Sequence, residues 1–93
     1  MNKKENIQNL EKAITELLIR KDISDFRWII GEERSGDENF DTCLMIDGDA
    51  HVYFYELDGM EEMNLVSADY GYFVDPINCF DIGFYNIAEW QAR

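Results

Sequence analysis

The order of apolar and polar residues divides the chain into one amphipathic helix followed by short segments of strand character. Ile7, Leu10, Ile14, Leu17, Leu18 and Lys21 fall at i, i+3, i+4 spacing, with Glu5, Gln8, Glu11, Lys12, Glu16 and Arg20 elsewhere on the wheel. The spacing predicts a helix over residues 3–21. Asn2 followed three residues later by Glu5 has the form of a capping box, and Lys21 near the end complements the helix dipole. The apolar stripe of this helix is expected to pack on a sheet.

The sheet begins with Phe26 to Ile30, rich in aromatic and β-branched residues, with Phe26, Trp28 and Ile30 on one face. Gly31 to Asn39 is polar and holds two glycines, as expected for the tip of a long hairpin. The next stretch, Phe40 to Asp58, reads as two apolar strands, Phe40–Ile46 and His51–Leu57, around an acidic turn at Asp47-Gly48-Asp49. A two-residue loop sets Ile46 opposite Asp49 and a four-residue loop sets it opposite His51. The longer loop keeps Asp49 out of the ladder, and a one-residue slip would exchange the faces.

Asp58-Gly59 is a further turn signal, and Met60 to Val66 fits either a helical turn or an edge strand, with Met60, Met63 and Val66 inward. Tyr70 to Val74 reads as a strand ended by Asp75-Pro76, because proline lacks the ladder donor. Cys79 to Tyr85 reads as another, with Phe80, Ile82 and Phe84 on one face, and Asn86 to Arg93 as a short C-terminal helix. The expected fold is α+β: an N-terminal amphipathic helix on an antiparallel sheet of four to six strands, closed by that short helix, in one domain over residues 1–93. The short spacings between strands favour hairpins over βαβ crossovers. Aromatic residues on both faces of His51–Tyr55 exceed what one helix can cover, so the sheet curls or an apolar face serves a homodimer.

Charge changes this picture more than size does. An apolar fraction of 46%, with 14% aromatic residues, sets the chain apart from disordered acidic tails despite its net charge of −12. Residues 1–34 are balanced, with seven bases and seven acids, whereas residues 35–92 hold thirteen acids and no Lys or Arg. Such a field repels nucleic acid and anionic membrane and steers the protein towards basic partners. No apolar run approaches the roughly 18 residues of a membrane span, and Met1–Lys4 does not open a secretory signal, so a cytoplasmic protein is expected. Cys43 and Cys79 form no CxxC pair and are expected to be free, buried thiols; a disulfide between them is the alternative for a secreted chain.

Candidate chemistry is sparse. His51, the single histidine, stands beside a carboxylate-rich turn and could act as a base, but no Gly-x-Ser-x-Gly elbow, phosphate loop or local Cys-His pair accompanies it. Paired carboxylates could serve glycoside hydrolysis, yet with acids this numerous no pair stands out. An EF-hand loop begun at Asp37 would need glycine and glutamate where Thr42 and Gly48 stand, and one begun at Asp47 meets Val52 and Asp58. The expectation is a non-enzyme with no cofactor and no dedicated metal site.

The acids themselves remain. On strands, alternate residues lie roughly 6.6–6.8 Å apart, comparable to backbone phosphates, so an acid-rich sheet edge could imitate nucleic acid. Asp37, Glu38, Asp47, Asp49, Asp58, Glu61, Glu62, Asp69 and Asp75 fall in expected turns and are the candidate partner-binding residues, with aromatic anchors among them. In size, acidity and the aromatic, acid-rich region from Asp37 to Trp90, the chain resembles small acidic inhibitors of phages and mobile elements, such as DNA-mimic anti-restriction and anti-CRISPR proteins. It is also similar to bacterial immunity proteins that neutralise basic nuclease toxins. The resemblance implies stoichiometric inhibition of a basic DNA-binding protein or nuclease by occupation of its nucleic-acid groove. It implies no direct contact with nucleic acid or membrane.

Overall fold

The structure, a computed structural model, describes residues 2–29 and 40–92. Ile30, the expected hairpin tip at Gly31–Asn39, and the candidates Asp37 and Glu38 lie outside them. The fold is α+β, in the order α1 (Lys3–Arg20), β1 (Phe26–Ile29), β2 (Thr42–Ile46), α2 (Gly48–Glu56), α3 (Gly59–Ala68), β3 (Tyr72–Pro76), β4 (Asp81–Asn86) and α4 (Ile87–Gln91). Four strands form one antiparallel sheet ordered β1-β2-β4-β3. No helix among the described residues is long and apolar enough to cross a membrane.

The N-terminal helix follows its sequence pattern. Asn2 Oδ1 accepts from the Glu5 backbone N–H at 2.8 Å and its amide donates back to Glu5 Oε1 at 3.2 Å, closing the capping box. Leu10, Ile14, Leu17 and Leu18 are buried against Leu44 and Ile46 of β2, Ile82 and Phe84 of β4, and Tyr72 and Val74 of β3. Trp28 adds its ring from β1, 5.4 Å from that of Phe84, and its indole N–H donates to Thr15 Oγ1 at 2.9 Å. That bond satisfies a half-buried donor that burial would otherwise penalise.

The expected hairpin over Phe40–Asp58 is not formed. Its first half is β2, but His51–Leu57 belongs to α2 and the turn after it. Asp47 is the N-cap: its Oδ1 accepts from Gly48 N at 2.8 Å, and its carbonyl accepts from Ala50 N at 2.9 Å and His51 N at 3.1 Å. Ala50, Tyr53 and Phe54 are buried at i, i+3, i+4, while Val52 and Tyr55 are exposed. A short continuous apolar run carries no period that separates a strand from a helix, and the cap decided it. Asp49 then ties the start of α2 to the α1–β1 connection, accepting from Asp25 N at 2.9 Å and Ser24 N at 3.2 Å. The Asp25 carboxylate occupies the place where a side chain on Gly48, at φ +43°, would begin.

The ambiguous Met60–Val66 segment is likewise helical, with Met63 buried and Met60 and Val66 packed on the core. The helical alternative for this segment is thus the one that forms, and because His51–Tyr55 is itself helical, the two-faced aromatic strand that one helix could not cover does not arise. The Asn64 side chain on α3 accepts from Val74 N at 2.8 Å and so occupies a donor on the edge strand β3. Because β3 is an edge, Pro76 ends it from within, paired with Ile82. β4 starts at Asp81 rather than Cys79, since Asn78 Oδ1 accepts from Phe80 N and Asp81 N and makes a turn there. Phe80 is consequently 54% exposed and leaves the face it was expected to share with Ile82 and Phe84. Cys43 is buried and free; Cys79 is free but exposed, against expectation.

On the sheet face away from α1, Phe73 stacks on Tyr85 at 5.3 Å and Trp90 of α4 meets both edge-on. Near this end the Tyr72 hydroxyl donates to Asp41 Oδ2 at 2.5 Å, and Lys3 pairs with Glu89 at 2.6 Å and Asp41 at 3.4 Å. Burial first, and the Asp41 hydrogen bond second, push the Tyr72 hydroxyl up to about 12. A raised folded-state pKa holds stability fully below the ordinary tyrosine range near 10 and loses it as pH rises through the folded value. Urea midpoints should therefore fall as pH climbs from about 9 to about 12, less steeply in Tyr72→Phe than in wild type. Equal slopes for the two proteins would contradict this assignment.

Candidate functional site

The described candidate acids fall into two groups, separated by what their carboxylates already hold. Asp47 and Asp49 are consumed by the start of α2, and the hydrogen bond from Asp25 N, with Ser24 N and others behind it, lowers the Asp49 pKa. Glu62, in the first turn of α3, pairs with Lys21 at 3.1 Å; Lys21 first and the nearby Tyr53 hydroxyl second lower its pKa. The same Tyr53 hydroxyl is buried without a hydrogen bond of good geometry, and its pKa is raised by burial and then by Glu62. Among the described residues Asp58, Glu61, Asp69 and Asp75 have no side-chain hydrogen bond or ion pair.

Two of those four free acids meet in a groove. It lies between the end of α2 and the start of α3, has a volume of about 560 Å³, and is lined by Phe54, Tyr55, Met60, Leu65, Asn64, Asp58 and Glu61. Local sequence explains why they converge. Asp58 takes the left-handed conformation, φ 62°, which Asp tolerates better than most residues, and so turns the chain from α2 into α3. Glu61, Asn64 and Leu65 then share one face of α3 at i, i+3, i+4. Leu65 is 68% exposed and Tyr55 44%, so apolar surface and unpaired charge stand side by side.

A second groove of about 590 Å³ is lined by Lys21, Asp22, Ile23, Asp49, Val52, Tyr53, Leu57 and Glu62. Its carboxylates at Asp49 and Glu62 are the committed ones. Asp69, at the C-cap of α3, and Asp75, exposed on β3, line neither groove. The acids are therefore not set out along a β-hairpin at strand spacing. Helix N-termini place most of them, where negative charge is also favourable for the helix itself.

The sequence did not point to Phe54, Met60, Asn64 and Leu65 as lining residues. Their signal was the helical spacing of Glu61, Asn64 and Leu65, concealed by the ambiguity of the segment. His51 lies in α2 against the rings of Tyr55, 4.7 Å, and Phe80, 5.7 Å. Among the described residues no three His, Cys, Asp or Glu side chains gather as metal ligands would. Comparison of the chain with protein-family models, with curated proteins and with solved structures found no match.

Proposed function

We propose that this protein is an acidic inhibitor that binds a basic DNA-binding protein or nuclease and occludes its nucleic-acid site, without turnover. The observation that carries the reading is the α2–α3 groove, where the free carboxylates of Asp58 and Glu61 stand beside exposed Tyr55 and Leu65. Along the sequence, residues 35–92 hold thirteen acids and no Lys or Arg. Carboxylates without internal partners lose little on meeting Lys or Arg, and nearby apolar side chains give such a contact an anchor that charge alone lacks.

A second reading, an immunity protein or antitoxin capping one cognate basic toxin, is favoured by the interleaving of acids with apolar side chains. A uniform phosphate imitation has no use for exposed Leu57 and Leu65, at 62% and 68%, whereas a dedicated protein interface does. Both readings predict recovery of a basic protein from a lysate of the source cells at low salt, and its release at about 0.5 M salt. Recovery of none, or a complex indifferent to salt, would overturn the proposal. Duplex DNA should displace the inhibitor from its target if it occupies the nucleic-acid groove, and should leave an immunity complex bound elsewhere intact.

A further inference from the structure

We infer that the α2–α3 groove is an anchor site for an arginine side chain on an apolar, basic segment of the partner, an inference that rests on the inhibitor reading above and gives it a place. The groove has two kinds of wall. Phe54, Tyr55, Met60 and Leu65 are apolar or aromatic, and Asp58 and Glu61 are carboxylates with no partner among the described residues. A side chain that satisfies both must have an apolar stem and a cationic head. Lysine and arginine qualify by burying their methylene stems while the charge reaches the rim.

Arginine fits better for three reasons. Its planar fork can bond two carboxylates at once, it stacks on aromatic faces such as Tyr55, and it is more weakly hydrated than an ammonium. Leu65, 68% exposed at the groove wall, offers a contact for an apolar neighbour of that arginine. Lys21 lines the other groove and is paired with Glu62. A second copy of the chain is a poor occupant, since each copy carries a net charge of −12 and two copies repel one another.

The test titrates the nitrogen-15-labelled 93-residue chain with a blocked hexapeptide of alternating leucine and arginine, and with its lysine and citrulline analogues. Amide shifts should concentrate between Tyr55 and Leu65, with the arginine peptide tightest and the citrulline peptide weaker by about tenfold or more, the loss of one charge-assisted hydrogen bond. The double variant Asp58→Asn, Glu61→Gln should weaken arginine-peptide binding by about tenfold or more. Asparagine tolerates the left-handed conformation at position 58, so the turn survives. Asp69→Asn with Asp75→Asn removes the same charge outside the groove and should change affinity by less than about twofold, as expected of a long-range field alone.

Leu65→Ser supplies an independent check on an exposed residue and should weaken the leucine-arginine peptide with the fold intact. Equal losses in the two double variants, or shifts centred on the aromatic face of Phe73 and Tyr85, would overturn the anchor site. So would failure of the arginine peptide to bind at about 0.05 M salt while a basic protein is still recovered from lysate; the inhibitor reading would then stand without this site. Failure of both experiments would remove the inhibitor reading as well.

Discussion

Gly59→Ala is expected to destabilise the protein by about 2–3 kcal/mol, although alanine is the better helix former. Gly59 is buried as the first residue of α3, and a Cβ there would lie 2.5 Å from the Tyr53 carbonyl oxygen, 2.7 Å from its ring and 2.8 Å from its carbonyl carbon. Two of these three contacts are backbone, so no side-chain rotation relieves them. Alanine would gain at most about 1 kcal/mol of helix propensity in a helix interior, and less at a first-turn position. The clash therefore outweighs the gain and forces α3 away from α2. Urea unfolding should show the lower midpoint, and the arginine peptide should bind more weakly to the folded fraction because the same displacement opens the groove. A variant as stable as wild type would mean that the α2–α3 corner yields at little cost.

Phe84→Ala is expected to cost more, about 3–5 kcal/mol. A domain of this size has roughly 5–14 kcal/mol in total, so the variant would stand near the edge of folding. Phe84 is 0% exposed on β4, opposite Thr42 of β2 and Val74 of β3, with the Trp28 ring 5.4 Å away. Strands on both sides and helices above leave the site little room to collapse, which keeps the cavity open and its cost high. Phe80→Ala, at a residue 54% exposed four positions earlier, should change stability by no more than about 0.5 kcal/mol. Similar losses at the two positions would mean that the β4 face does not form the centre of the core.

The contrast between Phe80 and Phe84 also measures how far the chain can be read without its structure. Periodicity placed both on one face, and the strand did hold Ile82 and Phe84 inward. It missed that Asn78 turns the chain immediately before Asp81, because a side chain accepting two backbone donors has no hydrophobic pattern. The helix over Lys3–Arg20 was legible throughout, since its stripe is long and its cap is local. β1 was legible from its aromatic and β-branched residues, and the antiparallel character of the sheet from the short connections between strands.

The segment from Asp47 to Val66 was not. Asp-Gly twice gave a turn signal that serves a hairpin and a helix start equally well, and Val52 to Tyr55 are all β-favouring residues. Reading His51–Leu57 as strand, with Met60–Val66 left between a helical turn and an edge strand, placed the carboxylates in turns beside a sheet edge; the structure places five of them at the starts of two helices. That change decides which acids are free. Asp49 became a bond to the Ser24 and Asp25 amides and Glu62 an ion pair with Lys21, while Asp58 and Glu61 were left beside Leu65.

The sequence by itself determined the α+β class, the first helix and its cap, and the confinement of every Lys and Arg among residues 1–92 to the first 34. Each of these depends on local spacing or on composition, which need no partner to be read. Only the tertiary structure decided that β-prone residues 52–55 are helical and that α3 occupies a donor of the β3 edge. It also decided that two free carboxylates share one apolar groove. Those outcomes follow from caps, buried faces and bonds between residues distant in the chain, where long-range packing overrides local preference.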